Sequence, residues 1–437
     1  MDLYKPFSKK ALSASPQRLQ LGAYRVEYMA YSKNASVAAT IPAVILAGDF
    51  QHFMSYREFV PKLYKTRPVI IVSLPSYGGN IQSADGLSIE DMADLLSQFV
   101  DALALPVIDL ISFSLTSLLA HAFAVQFPDK VNRLVVSGVM ASPRRSFLLT
   151  LEESISMMEE SFENFSQALL LCLFNPRFLS EDESERAYQI ASPLNTAETP
   201  CRRLVRQRIK QLDDNQKAHY KSNIKRVLDY LAINKLENIQ PGKNTLKSFP
   251  QAKALVLAGE FDHFVLPFET AEYSARCDNA EFVLVKNADH LVQADSMGTV
   301  LTAIDSFLKE KSQAKNPGVM VLSPDKVATQ GKRSSLRMVP VLSHAWLFSD
   351  SMRMHQIVSV KDINYSGGLM ELPRLCLEQA TQADDLELQF SGFELKLKIA
   401  VFERQKNIVR FLFKHSDIEK AKQLITMLSN PDYFLPY

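Results

Sequence analysis

Over the first three hundred residues the apolar positions fall into short runs separated by polar turns. Tyr24 to Tyr31 alternates in polarity, as a half-buried strand does. Ala43 to Leu46, Val69 to Val72, Val107 to Ile111, Lys253 to Leu257 and Glu281 to Val285 are compact, mostly apolar runs that read as strands, and Pro128 to Gly138 reads as a turn and a further buried strand. Helical spacing intervenes. Ile89 to Leu103 carries Met92, Leu95, Leu96, Phe99 and Leu103 on one face. Leu118, Leu119, Ala122, Phe123 and Gln126 mark another helix, and Met297 to Leu308 a later one.

Residues 140–248 break this rhythm with helical patterns at Leu151 to Phe174, Arg202 to Leu212 and Ser222 to Leu236. Met157, Met158, Phe162, Phe165, Leu169 and Leu170 recur at helical spacing, which is the mark of core packing. The basic run Arg202, Arg203, Arg206, Arg208 and Lys210 reads as a solvated helix face, with docking of an acidic carrier protein or a phosphate-bearing substrate as the other reading. Residues 311–330 are polar with Pro and Gly, as a linker is. Beyond them lie short alternating runs: Met338 to Leu342, His344 to Leu347, Ile357 to Val360, Leu369 to Leu372, Leu386 to Phe390, Glu394 to Phe402 and Ile408 to Phe413. About six strands so spaced predict a small barrel, closed by a helix over Ile418 to Leu428. The expected division is residues 1–310, a linker at 311–330, and 331–437.

Composition narrows the classes. A chain of 437 residues with 47% hydrophobic content can bury two or three cores. A net charge of +1 offers no global field for a nucleic-acid polymer or a membrane, so an anionic ligand needs a local cluster. The four cysteines are far apart, without metal-ligand spacing or a disulfide framework. Met1 to Gln20 lacks an apolar signal core, and no long uncharged apolar run exists, so the expectation is a cytoplasmic protein without a membrane span.

The candidate chemistry begins at Ser112-Phe113-Ser114-Leu115-Thr116, where a buried strand turns directly into a helix. A Ser at such an apex, flanked two residues away by small side chains, is a nucleophile elbow. With it the chain resembles the α/β-hydrolase family over roughly residues 20–310, with Ser112 and Thr116 where glycines are usual. The resemblance implies a doubly wound, mostly parallel α/β sheet with a helical cap at about 140–248. It implies a triad in the order Ser114, Asp262, His290, the last two in the turns Gly259-Glu260-Phe261-Asp262 and Asn287-Ala288-Asp289-His290. It also implies oxyanion donors at the backbone N–H groups of Asp49, in the turn Ala47-Gly48-Asp49, and of Leu115. A hydroxyl needs a neutral imidazole to take its proton, and the carboxylate fixes the tautomer. His263 reads as a loop residue, His121 as packed in its helix, and His52 as near the oxyanion turn. Ser73 to Asn80 reads only as a turn.

Ser112-Phe113-Ser114 and the segment Asn223 to Ile239 are similar to the acyltransferases of rhamnolipid synthesis. That resemblance implies an acyl or ester substrate, a 3-hydroxyacyl chain carried on acyl carrier protein, and an acyl-enzyme resolved by a lipid hydroxyl. No catalytic cofactor is expected. Past the linker, Arg333-Ser334-Ser335-Leu336-Arg337 and Asp362-Ile363-Asn364-Tyr365-Ser366-Gly367 resemble the two motifs of the PilZ domain. This implies a six-stranded antiparallel barrel that binds cyclic di-GMP, as a regulatory ligand, through Arg333, Arg337, Asp362, Asn364 and Gly367. Arg presents a bidentate fork to phosphate or guanine, and Asp accepts from a guanine edge. Lys332 reads as an accessory phosphate contact or as nothing. The rival expectation is a signalling adaptor: an inert hydrolase fold that offers a surface to a protein partner, with only the nucleotide site working.

Overall fold

A computed structural model describes residues 3–174, 200–231, 246–324, 327 and 337–436. The chain divides into two compact units, Met1–Pro143 with Glu198–Lys332, and Arg144–Ala197 with Arg333–Tyr437. The longer helices are α1 (Ile89–Ala102), α2 (Thr116–Gln126), α3 (Arg145–Glu160), α4 (Phe162–Leu173), α5 (Pro200–Lys210), α6 (Asp214–Leu231), α7 (Pro267–Ala275), α8 (Met297–Leu308) and α9 (Ile418–Ser429).

The first unit is built on one twisted sheet. Its strands are β1 (Gln17–Leu21), β2 (Tyr24–Tyr31), β3 (Ala43–Leu46), β4 (Val69–Ser73), β5 (Ile108–Phe113), β6 (Val131–Ser137), β7 (Lys253–Gly259), β8 (Ala280–Val285) and β9 (Val319–Val321), in the order β1-β2-β4-β3-β5-β6-β7-β8-β9. From β4 to β8 the pairing is parallel, and β1, β2 and β9 are antiparallel additions. Every residue of β3, β4 and β5 is buried, which is why these runs do not alternate. Ile45, Ile71, Ile111, Val135, Leu255 and Val283 contribute one side chain per strand to a single core layer. The strand order reverses at β3, so the carboxyl ends of β3 and β5 lie side by side, the place where open α/β sheets put their sites. β9 falls inside the expected linker. Its three apolar residues pair with β8 (Val319 with Val285), a signal too short to stand out among Pro and Gly.

Local chemistry fixes the helix ends. Ser88 starts α1 with a capping box: its hydroxyl accepts from Asp91 N, and the Asp91 carboxylate accepts from Ser88 N. The predicted run Leu151 to Phe174 is two helices, because Ser161 is extended and caps α4 by accepting from Asn164 N. Residues 232–236 of the predicted third cap helix lie outside the described residues.

The second unit holds the barrel. Its strands are β10 (Met338–Pro340), β11 (His344–Ser349), β12 (Met354–Asn364), β13 (Gly367–Glu371), β14 (Glu387–Phe390), β15 (Lys396–Gln405), β16 (Ile408–Phe413) and β17 (Phe434–Pro436). Six antiparallel strands close in the order β11-β14-β15-β16-β13-β12 and back to β11, while β10 and β17 extend from β12. Leu347, Val358, Leu388, Ile399, Val409 and Phe411 fill the interior. The helices α3 and α4 group with this barrel rather than with the hydrolase sheet, unlike the sequence-based division. Leu171 of α4 joins the barrel core, Gln167 Oε1 accepts from Ile418 N at 2.9 Å, and Lys414 pairs with Glu153 of α3 at 2.8 Å. Contacts between segments hundreds of residues apart leave no local signal. Among the described residues no helix is long and apolar enough to cross a membrane.

One buried ion pair ties the first unit together below the sheet. Arg67 donates to Asp109, which is fully buried on β5, and to Leu308 O at 2.9 Å; Asn132 donates to Asp109 at 2.6 Å. Burial pushes the Asp109 carboxyl up, and Asn132 and Arg67 pull it back. Arg67→Met removes the cation that is hydrogen-bonded to that carboxylate, leaving only the charge of Arg133 nearby. The expected loss is about 3 kcal/mol of unfolding free energy in urea, and a loss near zero would show the pair to be dispensable.

Candidate functional site

β5 ends at Phe113 and α2 begins at Thr116, so the turn between them is two residues long. Ser114 takes φ 61°, a left-handed conformation that costs a residue with a Cβ and persists only where the surroundings enforce it. The surroundings do so. Ser114 N donates to Ser137 O at 2.8 Å, and Ser117 Oγ donates to the same carbonyl at 2.9 Å. The departures from glycine are accommodated by mutual bonding. Ser112 Oγ donates to Thr116 Oγ1, and Thr116 Oγ1 to Phe113 O, each at 2.9 Å, and both side chains are buried.

The turn after β7 places Asp262, and the turn after β8 places His290. Ser114 Oγ lies 2.7 Å from His290 Nε2, and His290 Nδ1 lies 2.9 Å from Asp262 Oδ2. The second carboxylate oxygen accepts from Phe264 N (3.0 Å) and Val265 N (2.9 Å), so Asp262 cannot rotate freely. Phe264 meets the imidazole edge-on at 5.0 Å. A carboxylate at Nδ1 selects the tautomer protonated there, which leaves the Nε2 lone pair facing the Ser114 hydroxyl. Gly138, at φ 66°, closes the far side: a Cβ there would stand 2.8 Å from His290 Cε1.

Asp49 follows β3 and Leu115 follows Ser114, at the ends of adjacent strands. The Asp49 carboxylate accepts a hydrogen bond from Asn223 Nδ2 of α6. Burial pushes that carboxyl up to about 6, against the pull of Asn223, the Arg226 charge and the Asp49 N–H itself. Asn223 Nδ2 also donates to Ser76 O at 2.8 Å. Its Oδ1 accepts from Arg226, which donates further to Leu87 O (2.6 Å) and Ala84 O (2.8 Å). Neither residue was picked out by sequence reasoning, because an Asn and an Arg three apart on a helix carry no signature. Arg208 departs from its expected role. Arg203, Arg206 and Lys210 are exposed, but Arg208 is half-buried and donates to Phe50 O at 2.9 Å.

His121 is buried, 3.0 Å from Tyr273 OH, and burial pushes its pKa down to about 4. His263 is half-buried in the Asp262 loop, and burial with the nearby Arg208 charge lowers the pKa of His52. Ser73 donates to Tyr77 O at 2.6 Å, closing a turn.

A Ser on a strand–turn–helix, with His and Asp bonded in series at the carboxyl edge of a parallel sheet, defines an α/β protein with hydrolase-type geometry. The chain belongs to the alpha/beta hydrolase fold family, whose model matches residues 42–296. It is 27% identical over 162 residues to 2-hydroxy-6-oxo-2,4-heptadienoate hydrolase of Pseudomonas putida, covering 36% of this chain and 57% of that protein. The chain thus matches little more than half the length of that relative. Similar solved structures include an alpha/beta hydrolase enzyme from a Medee basin deep-sea metagenome library, with TM-score 0.53, 16% identity, and 68% of this chain and 98% of that one covered. A hydrolase from Pseudomonas aeruginosa has TM-score 0.51 at 17% identity, covering 67% of this chain and 98% of its own. A thermophilic esterase from Thermogutta terrifontis has TM-score 0.50 at 18% identity, covering 68% and 99%.

The barrel gathers the second set of candidates. Met338 pairs with Ile363 in antiparallel register, which brings Arg337 to the end of β12, where its side chain reaches Asp362. The two form an ion pair, with Arg337 Nη1 on Asp362 Oδ2. Asp362 is buried at an irregularity of the β12–β13 pairing, and its Oδ1 has no hydrogen-bond partner among the described residues. Asn364 is not free to greet a ligand with its carbonyl, since Oδ1 accepts from Ser366 N (2.9 Å) and Gly367 N (3.1 Å). Gly367, at φ 153°, serves the barrel itself: a Cβ would stand 2.1 Å from Phe411 O on β16. Arg333 and Lys332 lie outside the described residues.

Gly138→Ala tests the seat of the imidazole. Displacing His290 is expected to lower the rate of Ser114 modification about 10²-fold, with an unchanged circular-dichroism spectrum. A rate within twofold of wild type would mean that the ring does not rest on residue 138.

Proposed function

We propose that the protein is a serine hydrolase or acyltransferase acting on an ester or thioester, with cyclic di-GMP as its regulatory ligand. The observation that carries the reading is the series of two hydrogen bonds, 2.7 and 2.9 Å, linking Ser114, His290 and Asp262. His290 Nε2 takes the Ser114 proton as Oγ attacks the acyl carbon. Asp262 stabilises the resulting imidazolium. The N–H groups of Asp49 and Leu115 hold the negative oxygen. His290 returns the proton to the departing alcohol or thiol, leaving an acyl-enzyme. Water or a second hydroxyl, deprotonated by His290, then attacks the acyl carbon; the acyl–Oγ bond breaks and His290 gives that proton to Ser114 Oγ. Water gives the free acid; a lipid hydroxyl gives a new ester.

For the nucleotide, the supporting observation is Asp362 Oδ1, which has no hydrogen-bond partner among the described residues, beside Arg337. A buried carboxylate oxygen without a donor suits a guanine N–H edge, and a guanidinium suits phosphate or guanine O6/N7. Arg337 and Asp362 would hold the ligand, with Arg333 supplying the second fork. The ligand chemistry adds no step at Ser114; it sets how readily that site is used.

A fluorophosphonate probe is expected to label the wild-type chain and not Ser114→Ala. Absence of labelling, with no turnover of p-nitrophenyl esters, would favour the inert adaptor. Calorimetry is expected to show cyclic di-GMP binding at micromolar or tighter strength, abolished by Arg333→Ala with Arg337→Ala. No heat and no competition with a labelled analogue would remove the messenger from the account.

A further inference from the structure

The oxyanion turn contains a chemical conflict. Asp49 supplies one of the two proposed donor N–H groups, yet it carries a carboxylate on the same residue. The negative charge of that side chain opposes the charge that develops on a reacting oxygen held by the same residue's N–H. A turn built this way needs something to draw the carboxylate aside.

Asn223 is placed to do so. Its Nδ2 donates to the Asp49 carboxylate and, at 2.8 Å, to Ser76 O on the neighbouring turn. The amide cannot flip without penalty, because its Oδ1 is held by Arg226. Arg226 is locked in turn by Leu87 O at 2.6 Å and Ala84 O at 2.8 Å. Asn223 is 1% exposed and Arg226 4%, so water does not substitute for either. The guanidinium also places a positive charge where it favours the ionised Asp49. A polar pair at i and i+3 on an otherwise ordinary helix, fully buried and spent on two loops, is more than helix docking requires.

We propose that Asn223, oriented by Arg226, is a positioning residue for the oxyanion turn: it holds the Asp49 carboxylate on α6 so that the Asp49 N–H faces the reacting oxygen. The proposal rests on the reading of Ser114 as nucleophile and Asp49 N–H as oxyanion donor. It assigns no proton transfer to Asn223. Its effect lies in the charge and direction of one neighbouring side chain.

A charge-swap cycle on the full-length protein tests it. The readouts are the second-order rate of fluorophosphonate labelling at Ser114 and kcat and KM for p-nitrophenyl butyrate. Asn223→Asp sets two carboxylates face to face while Arg226 keeps a bonding partner. It is expected to lower labelling and kcat by about tenfold or more, with KM within about twofold, since the loss is of transition-state stabilisation. Combining it with Asp49→Asn restores an amide–carboxylate bond in the reverse sense and is expected to recover most of the lost rate. Asn223→Ala, which removes the donor without adding charge, is expected to cost less in an Asp49→Gly background than in the native one. Equal cost in both backgrounds, or a swap that fails to recover activity in a folded protein, overturns the proposal. Labelling absent from the wild type and every variant would sink the nucleophile reading along with it, whereas labelling with equal costs sinks this proposal alone.

Discussion

Everything at the candidate active site depends on how closely two backbones approach at the end of β5. Ser114 holds a left-handed conformation only because Ser137 O anchors its N–H and α2 begins two residues later. At the same place Ser112 and Thr116 are buried and bonded to each other, and residue 138 is a glycine, where His290 leans in. The strain is repaid by geometry. A half-buried hydroxyl at the apex of the turn meets an imidazole 176 positions later in the chain.

Polar burial is the second theme. The sheet alone would place Ser114, Asp262 and His290 near one edge. The N–H groups of Phe264 and Val265 orient Asp262, and the Asn223–Arg226 pair orients the Asp49 side chain after β3; these neighbours act through hydrogen bonds alone. Each of these groups is buried and bonded, so each has a single arrangement that satisfies it. This is how a loop comes to be as well defined as the strands it joins.

The barrel uses the same currency differently. Arg337 is matched by Asp362, and Asn364 caps its own turn. A bound anion would have to compete for the guanidinium, which makes the Arg337–Asp362 pair the internal rival of any nucleotide. Among the described residues, Asp362 Oδ1 is a buried acceptor of this cluster without a donor.

Much of this was legible in the linear chain. Apolar runs without alternation marked the sheet strands, because covering both faces removes the polar phase. Alternating runs after residue 337 marked the barrel, because its interior admits every second side chain. The turn bearing Ser114 showed in its small flanking residues, while Asp262 and His290 came from the resemblance to the α/β-hydrolase family and its chain order. The tertiary structure alone decided the rest. It set α3 and α4 with the barrel, made a sheet strand of Val319–Val321 and turned Arg208 inward. It also revealed that Ser112 and Thr116 bond each other and that Asn223 grips Asp49. The physical reason is common to all of these. Periodicity records which face of an element is buried, whereas the partner a buried polar group finds is set by segments distant in the chain, and no local pattern encodes that choice.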